Sequence, residues 1–202
     1  MIYKLICAGI DSFIENYKQD KEEFIIAIDG GYQVLQQYNI KIDAFFGDFD
    51  SLKKQELSLK NEHIYSSIKD DSDFDLAIDY LINDIRISKD DKIIIYNGTG
   101  GRLDHYRAII NTIIRNKDYN ITLVDDRNMI LVSDLISMFK QDNYKYISFF
   151  SIEEDTILSL KGFKYNIDNY NLKLYDNLCL SNEIINEGIL KTNKKVLVIK
   201  AN

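Results

Sequence analysis

The alternation of short apolar runs with helical patterns over the first two thirds of the chain constrains its fold most strongly. The apolar runs are β-branched or aromatic and of strand length, as in Lys-Ile-Ile-Ile-Tyr at residues 92–96. In the clearest helical pattern, residues 73–87, apolar side chains recur at steps of three and four residues, and Ser72 with Asp75 predicts a capping box at its start. Strands that alternate with helices predict an open, mostly parallel sheet with flanking helices, whose ligands bind outside the carboxyl ends of the strands.

The pattern changes after residue 125, where short apolar runs are joined by turns rich in Asn, Asp and Gly. The predicted strands of the first part are residues 4–8, 24–28, 44–46, 63–66, 92–96 and 121–124, and its predicted helices are residues 12–17, 31–38, 52–59, 73–87 and 102–116. Those of the second part are residues 128–132, 144–151, 156–161, 172–174 and 196–200. The sequence therefore predicts an α/β domain over residues 1–126 and an all-β sandwich domain over residues 127–202.

Composition excludes several classes of function. The chain has 202 residues, of which 46% are hydrophobic and 28% charged, as expected for a globular protein rather than a disordered one. A net charge of −7 has the wrong sign for a general nucleic-acid binder, and no apolar run is long enough to cross a membrane. Two histidines exclude a multi-histidine metal site, and the separated Cys7 and Cys179 predict no disulfide framework. We expect a cytoplasmic protein.

Two aspartates follow the third predicted strand directly, in the run Gly47-Asp48-Phe49-Asp50. Alternate residues of an extended segment point the same way, so Asp48 and Asp50 can share one ligand, and paired carboxylates suit Mg²⁺. Spacing alone slightly favours a solvated acidic turn instead. Asp73 is a possible third carboxylate, although on local evidence its position after Ser72 is better explained by the start of a helix.

A glycine-rich turn at residues 97–105, Asn-Gly-Thr-Gly-Gly-Arg-Leu-Asp-His, lies between a predicted strand and a predicted helix. In this context the backbone N–H groups of a turn can bind phosphate oxygens, and Arg102 adds a bidentate donor. The glycine spacing matches neither the Walker loop nor the dinucleotide pattern. Together with the carboxylates at strand ends, the turn predicts metal-assisted phosphoryl or nucleotidyl transfer.

Taken in order, these segments resemble the thiamine pyrophosphokinase (thiamine diphosphokinase) family. The motifs that carry the resemblance lie at residues 27–31, 47–52, 69–73, 98–105, 162–165 and 180–183. The resemblance runs nearly end to end and implies an ATP-binding catalytic domain followed by a β-sandwich domain for thiamine binding and dimerisation. It also implies a homodimer with active sites between subunits, and a Mg²⁺-dependent transfer of pyrophosphate from ATP to thiamine that releases AMP.

The resemblance also assigns roles to individual residues. It assigns Mg²⁺ binding to Asp48, Asp50 and Asp73. It assigns nucleotide binding to Asp29, Gly30, Ser51, Thr99, Gly100, Gly101 and Arg102. The catalytic set is Asp48, Asp50, Asp73, Arg102 and Asp104, with Asp104 near the reacting hydroxyl or orienting Arg102. Ser181 and Asn182 are assigned to the pyrimidine of thiamine, approached from the partner subunit. Lys4, which belongs to no motif, is expected to tolerate replacement by alanine.

The chain has no tryptophan, so an aromatic contact with thiamine must come from Tyr or Phe, and Tyr165, Tyr170 and Tyr175 are candidates. Three alternatives remain open. One is a pyrophosphokinase that acts on another small alcohol, such as a hydroxymethylpterin. Another is a haloacid-dehalogenase-like phosphatase with Asp48 as nucleophile. A third is a nucleotide- or thiamine-binding sensor without activity.

Overall fold

The computed structural model describes residues 1–47, 62–64 and 72–202. It divides into two compact units, residues 1–126 and residues 127–202. The predicted helix at residues 52–59 and the predicted site residues Asp48, Asp50 and Ser51 lie outside the described residues.

The described part of the first unit contains six strands, and every adjacent pair among them is parallel. They are β1 (Ile2–Ile6), β2 (Glu23–Ile28), β3 (Ala44–Gly47), β4 (Glu62–Ile64), β5 (Lys92–Tyr96) and β6 (Asn120–Val124). The strand order is β4-β3-β2-β1-β5-β6, so β1 and β5 are neighbours at the centre. Leu5 and Ile6 of β1 are fully buried, as is typical of a parallel sheet covered on both faces.

Four α-helices lie in the described part of this unit: α1 (Phe13–Asn16), α2 (Gly31–Gln37), α3 (Asp73–Asp79) and α4 (Leu103–Arg115). The prediction of one regular helix over residues 73–87 was wrong in its second half. After α3 the chain continues as a π-helix, Tyr80–Ile85, which Arg86 ends in a left-handed conformation at φ 58°. Apolar residues spaced three and four apart do not distinguish an α-helix from a π-helix. None of the described helices has the length and apolar character needed to cross a bilayer.

Lys4 of β1 is fully buried, which contradicts the expectation that it is dispensable. Its ammonium donates to Asp20 Oδ2 at 2.8 Å, to Glu23 Oε2 at 2.6 Å and to the Lys18 carbonyl. It also stands 4.5 Å from the centre of the Tyr17 ring. The ammonium therefore supplies hydrogen bonds that this buried part of the unit depends on.

The second unit consists of two antiparallel sheets. Its strands are β7 (Asn128–Val132), β8 (Ile136–Lys140), β9 (Tyr146–Ser151), β10 (Thr156–Phe163), β11 (Ile167–Leu172), β12 (Ile184–Thr192) and β13 (Val196–Ala201). One sheet has the order β7-β13-β9 and the other β11-β10-β12-β8. Phe149 of the first sheet packs edge-on against Phe139 and Phe163 of the second, with ring centres 5.8 and 5.5 Å apart. The fold class, a parallel α/β sheet followed by a β-sandwich, is confirmed.

Two strands of the sandwich, β8 and β12, were not predicted, and the strand predicted at residues 172–174 overlaps β11 only at Leu172. Strand β12 is the longest in the unit, but Asn186-Glu187-Gly188 lies in its middle and is typical of a turn. Gly188 is required there because a Cβ would lie 2.3 Å from Cζ of Phe163. Strand β8 has exposed Ile136 and Met138, so its apolar residues do not mark the buried face.

Candidate functional site

A cleft of about 580 Å³ lies at the carboxyl ends of the central strands of the first unit. From the centre of the sheet the chain proceeds to β2, β3 and β4 on one side and to β6 on the other, so β1 and β5 meet at the topological switch point. The cleft is lined by residues 7–9 after β1, residues 28–30 at the end of β2, residues 97–99, 101 and 102 after β5, residues 72–74 at the start of α3, and His105, Ala108 and Ile109 of α4. Open α/β sheets bind ligands at this position.

The glycine-rich loop, residues 97–101, is held against the segment that follows β1. The backbone N–H of Gly9 donates to the carbonyl of Asn97 at 2.9 Å, and that of Ile10 donates to the carbonyl of Thr99 at 3.1 Å. A Cβ at Gly9 would lie 2.2 and 2.3 Å from these two carbonyl oxygens, so only glycine permits the approach. The residues after β1 thus line the cleft beside the glycine-rich loop.

The side chain of Asn97 fixes the same two segments to each other. It is 1% exposed, and its Oδ1 accepts from the backbone N–H of Ser12 at 3.1 Å. Its Nδ2 lies 3.4 Å from Asp11 Oδ1. Asn97 has a left-handed backbone, φ 54°, which asparagine tolerates better than most residues. Asn97 therefore anchors the end of β5 to the segment that follows β1.

The backbone N–H groups of residues 98–101 donate to no protein acceptor within the described chain. Gly100 has φ 75°, a left-handed conformation that favours glycine. The loop leads directly into α4, a helix of 13 residues whose amino end carries a partial positive charge. This arrangement suits an anionic ligand such as a phosphate.

Arg102 and Asp104 form a two-point pair at the amino end of α4. The Arg102 guanidinium donates through Nε to Asp104 Oδ1 at 3.2 Å and through Nη2 to Asp104 Oδ2 at 2.6 Å. The hydrogen bonds from Arg102 lower the pKa of the Asp104 carboxyl to about 2, and the same contact raises the pKa of Arg102. Asp104 is therefore a weak base, and its geometry fits the orientation of Arg102. Arg102 lines the cleft and Asp104 does not.

Asp73 reaches the cleft from the first residue of α3. Ser72 caps this helix, since its Oγ accepts from the backbone N–H of Asp75 at 3.1 Å and its hydroxyl donates to the Asp75 carboxylate at 2.8 Å. The capping residues predicted from the sequence are confirmed, although the Asp75 carboxylate bonds the Ser72 hydroxyl and not its backbone. The same segment therefore starts a helix and lines the cleft through Ser72 and Asp73.

Asp29 and Gly30 reach the cleft from the end of β2. Asp29 has a left-handed backbone, φ 48°, and its N–H donates to the carbonyl of Phe46 at 2.9 Å. Burial, and then the Asp29 carboxylate, raises the pKa of the neighbouring Cys7 thiol to about 12. The thiol is therefore neutral at pH 7 and is not a nucleophile.

The structure brings six of the predicted residues to this cleft: Asp29, Gly30, Asp73, Thr99, Gly101 and Arg102. Gly100 shapes the loop without lining the cleft. No group of three or more possible metal ligands occurs among the residues that the structure describes, which exclude Asp48 and Asp50. Asp73 is the predicted metal ligand whose position can be given, and it lines the same cleft as Thr99, Gly101 and Arg102. An all-oxygen donor set of this kind fits Mg²⁺.

Ser181 and Asn182 belong to the second unit and have different surroundings. Ser181 is exposed, and its N–H donates to Ser148 Oγ at 2.9 Å. Asn182 is 2% exposed, and its side chain bonds both backbone groups of Tyr165: Oδ1 accepts at 3.0 Å and Nδ2 donates at 2.8 Å. Asn182 therefore fixes the backbone of Tyr165, whose side chain is 59% exposed.

Sequence reasoning missed three residues of the first unit that shape the cleft: Gly9, Asn97 and Asp125. Gly9 and Asp125 each follow a predicted strand closely, as Asp48 does. Asp125 is 3% exposed, and its Oδ2 accepts from the Thr99 hydroxyl at 2.6 Å. Inspecting the residue after every strand, and not only after those with acidic or glycine-rich motifs, would have found both.

The comparisons with known proteins agree on one family. The model of the thiamin pyrophosphokinase catalytic domain matches residues 16–124, and that of the thiamin pyrophosphokinase vitamin B1 binding domain matches residues 135–197. Thiamine pyrophosphokinase of Bacillus subtilis (strain 168) is 34% identical over 191 residues, which cover 89% of this chain and 87% of that protein.

Solved structures give the same result at the level of the fold. The crystal structure of thiamine pyrophosphokinase from Bacillus subtilis has a TM-score of 0.86 at 28% identity and covers 100% of this chain and 99% of its own. That of thiamin pyrophosphokinase from Geobacillus thermodenitrificans has a TM-score of 0.83 at 24% identity, covering 100% and 98%. On its sequence, its two domains and its cleft, the chain belongs to the thiamin pyrophosphokinase family.

Proposed function

We propose that the cleft of the first unit binds ATP through the glycine-rich loop and that the second unit supplies the thiamine site. The chain is a thiamine diphosphokinase, which transfers the pyrophosphoryl group of ATP to the hydroxyl of thiamine and gives thiamine diphosphate and AMP. The observation that carries the proposed ATP site is the set of backbone N–H groups at residues 98–101, which donate to no acceptor in the described part of the chain and lie beside Arg102. The matches to the two family models favour thiamine diphosphokinase over the phosphatase and pterin alternatives.

In the transfer, the hydroxyl oxygen of thiamine forms a bond to the β-phosphorus of ATP. The bond from that phosphorus to the oxygen bridging the α- and β-phosphates breaks, and AMP leaves with the bridging oxygen. The hydroxyl proton passes to solvent or to a base. In this proposal the N–H groups of the loop and the Arg102 guanidinium stabilise charge on the transferred group, which is the main source of catalysis in phosphoryl transfer. Asp104 keeps the guanidinium oriented toward the cleft.

We propose Mg²⁺ as the divalent ion, held by Asp73 together with Asp48 and Asp50. The support for Asp73 is its position on the cleft, and the support for the other two is the family resemblance. When bound, Mg²⁺ offsets negative charge on the phosphates. This role leaves Asp29 and Gly30 at the end of β2 for contacts with the remainder of the nucleotide.

For thiamine we propose Tyr165 as the aromatic contact. Among the three candidate tyrosines, Tyr170 donates its hydroxyl to Asp176 Oδ2 at 3.1 Å, and Tyr175 is 90% exposed with a left-handed φ of 65°. The backbone of Tyr165 is instead fixed by Asn182. A partly exposed ring on a backbone fixed in this way suits a flat, cationic ligand such as thiamine. In this proposal Asn182 positions Tyr165, and Ser181 is the exposed residue of the Ser181–Asn182 pair.

We further propose a homodimer in which each active site combines the first unit of one chain with the second unit of its partner. The support is the family resemblance, whose nucleotide motifs lie before residue 126 and whose thiamine motifs lie after it.

Titration calorimetry with an ATP analogue that carries a methylene bridge between the α- and β-phosphates tests the ATP site. We expect Mg²⁺ to tighten binding to the wild type and to have little effect on Asp73→Asn. Arg102→Gln should weaken binding about tenfold, because a hydrogen bond between charged groups is lost. Asp90→Asn, an exposed substitution shortly before β5 and hence at the opposite end of the sheet, is the matched control. Full enhancement by Mg²⁺ in Asp73→Asn would contradict the assignment.

A further inference from the structure

Asp125 is a buried carboxylate that touches the glycine-rich loop from below the cleft surface. It follows β6 directly and is 3% exposed, and its Oδ2 accepts from the Thr99 hydroxyl at 2.6 Å. Thr99 lines the cleft, whereas Asp125 does not. A hydrogen bond from a hydroxyl to a carboxylate at this distance is of the strong, charge-assisted kind.

The loop is held from two sides. On one side, the N–H groups of Gly9 and Ile10 bind the carbonyls of Asn97 and Thr99. On the other side, the Thr99 side chain binds Asp125. Thr99 is thus fixed through both its backbone and its hydroxyl, at the centre of the run of N–H groups proposed to bind phosphates.

The direction of this hydrogen bond bears on the role of Thr99. A hydroxyl has one proton, and here it is donated to Asp125, so the same proton is not available to a phosphate oxygen. We propose that Asp125 is a positioning residue for the ATP phosphates and that the Thr99 hydroxyl holds the loop in place by its hydrogen bond to Asp125. The inference rests on the proposed function of the cleft, and it changes the part of that function assigned to the Thr99 side chain.

The negative charge of Asp125 agrees with this role. A carboxylate in direct contact with a triphosphate would repel it, whereas Asp125 lies beneath the loop and meets it through the Thr99 hydroxyl. Removing either partner should loosen the loop in the same way. Their effects should therefore not add, as expected for two residues that act through one contact.

Steady-state kinetics of Thr99→Ser, Thr99→Val, Asp125→Ala and the double variant Thr99→Val/Asp125→Ala test the inference. Thr99→Ser keeps the hydroxyl and should keep the KM for ATP. Thr99→Val and Asp125→Ala should each raise the KM for ATP about tenfold, with a smaller change in kcat and none in the KM for thiamine. The double variant should match the single ones.

Thr156→Val is the matched control, because Thr156 is a buried threonine of the second unit whose hydroxyl donates to the Glu153 carbonyl at 2.7 Å. It should lower the melting temperature without changing the KM for ATP. If Asp125→Ala does not fold, the isosteric Asp125→Asn takes its place, with a smaller increase in KM because an acceptor oxygen remains.

Three results would overturn the inference. A raised KM in Thr99→Val with an unchanged KM in both Asp125 variants would mean that the hydroxyl contacts the phosphates itself. Additive effects in the double variant would mean that the two residues act separately. A loss of stability in the Asp125 variants without a change in KM would make Asp125 structural. If Arg102→Gln also leaves the KM for ATP unchanged, the proposed ATP site fails instead.

Discussion

Two glycines on the wall of the cleft show how one residue type serves two purposes. Gly9 permits contact between protein segments, because its Cα faces two backbone carbonyls. Gly101 leaves space on the ligand side, because a Cβ there would meet only the Cα of Gly9, at an ordinary 3.6 Å. The same substitution should therefore affect stability at one position and ligand binding at the other.

We expect Gly9→Ala to lower the free energy of unfolding by about 3 kcal/mol, since the added methyl group would overlap backbone oxygens that cannot move aside. Gly101→Ala should keep wild-type stability and raise the KM for ATP about tenfold, because the methyl group occupies space where a phosphate approaches the backbone. Urea unfolding and steady-state kinetics of both variants check this. The reverse pattern, an unstable Gly101→Ala with normal KM, would contradict the account of the loop.

The pKa of Asp104 bears on its role. Its pKa of about 2 lies below the ordinary 3.8, so the pair with Arg102 is fully present above pH 3.8 and is lost as the pH falls through about 2. Asp104 therefore does not titrate between pH 5 and 8. We expect Asp104→Asn to keep the shape of the pH profile of kcat/KM over that range while raising the KM for ATP. Loss of an acidic limb in the variant would instead identify Asp104 as the base.

At the scale of elements, a buried lysine determines how β1 joins the rest of the first unit. We expect Lys4→Ala to lower the free energy of unfolding by about 3 kcal/mol, because the Glu23 carboxylate, which is only 12% exposed, and the more exposed Asp20 would both lose their cation. The kcat/KM of the folded fraction should not change. Lys92→Ala, which removes an exposed lysine from neighbouring β5, serves as the control in urea unfolding. Equal stabilities of the two variants would contradict this role.

The elements also show how far sequence patterns reach. The strands of the first unit were predictable because a parallel sheet buried on both faces requires continuous apolar runs, as in β5. The burial of Lys4 was not predictable, because its partners at residues 18–23 come together only when β1 and β2 pair. Strand β12 was missed because its Asn-Glu-Gly run has a local preference for a turn. The packing of Phe163 against Gly188 overrides that preference in the folded chain.

The candidate site follows the same division. Asp73, Thr99, Gly101 and Arg102 were found because they lie in local motifs that join a loop to a helix. Gly9 and Asp125 were missed because their roles depend on contacts with the loop at residues 97–101, far away in the sequence. Local motifs therefore identify residues that line the cleft, whereas the residues that support them emerge only from the fold.

At the scale of the whole molecule, a shared active site can be tested by mixing two inactive variants. Asp73→Asn impairs the proposed nucleotide site, and Tyr165→Ala impairs the proposed thiamine site. If each active site combines units from two chains, half of the randomly mixed dimers carry one intact site, and about a quarter of wild-type activity should return after mixing and refolding. Activity no higher than the sum of the two parents would contradict a site between subunits.

The transfer of pyrophosphate to thiamine can be tested by identifying, by mass, the products formed from ATP and Mg²⁺ with and without thiamine. We expect AMP and thiamine diphosphate in equal amounts, only when thiamine is present, and neither product with Asp73→Asn. AMP formed only with a different alcohol would retain the transfer chemistry and contradict thiamine as the acceptor. Inorganic phosphate alone, or no turnover with any acceptor, would contradict the assigned reaction itself.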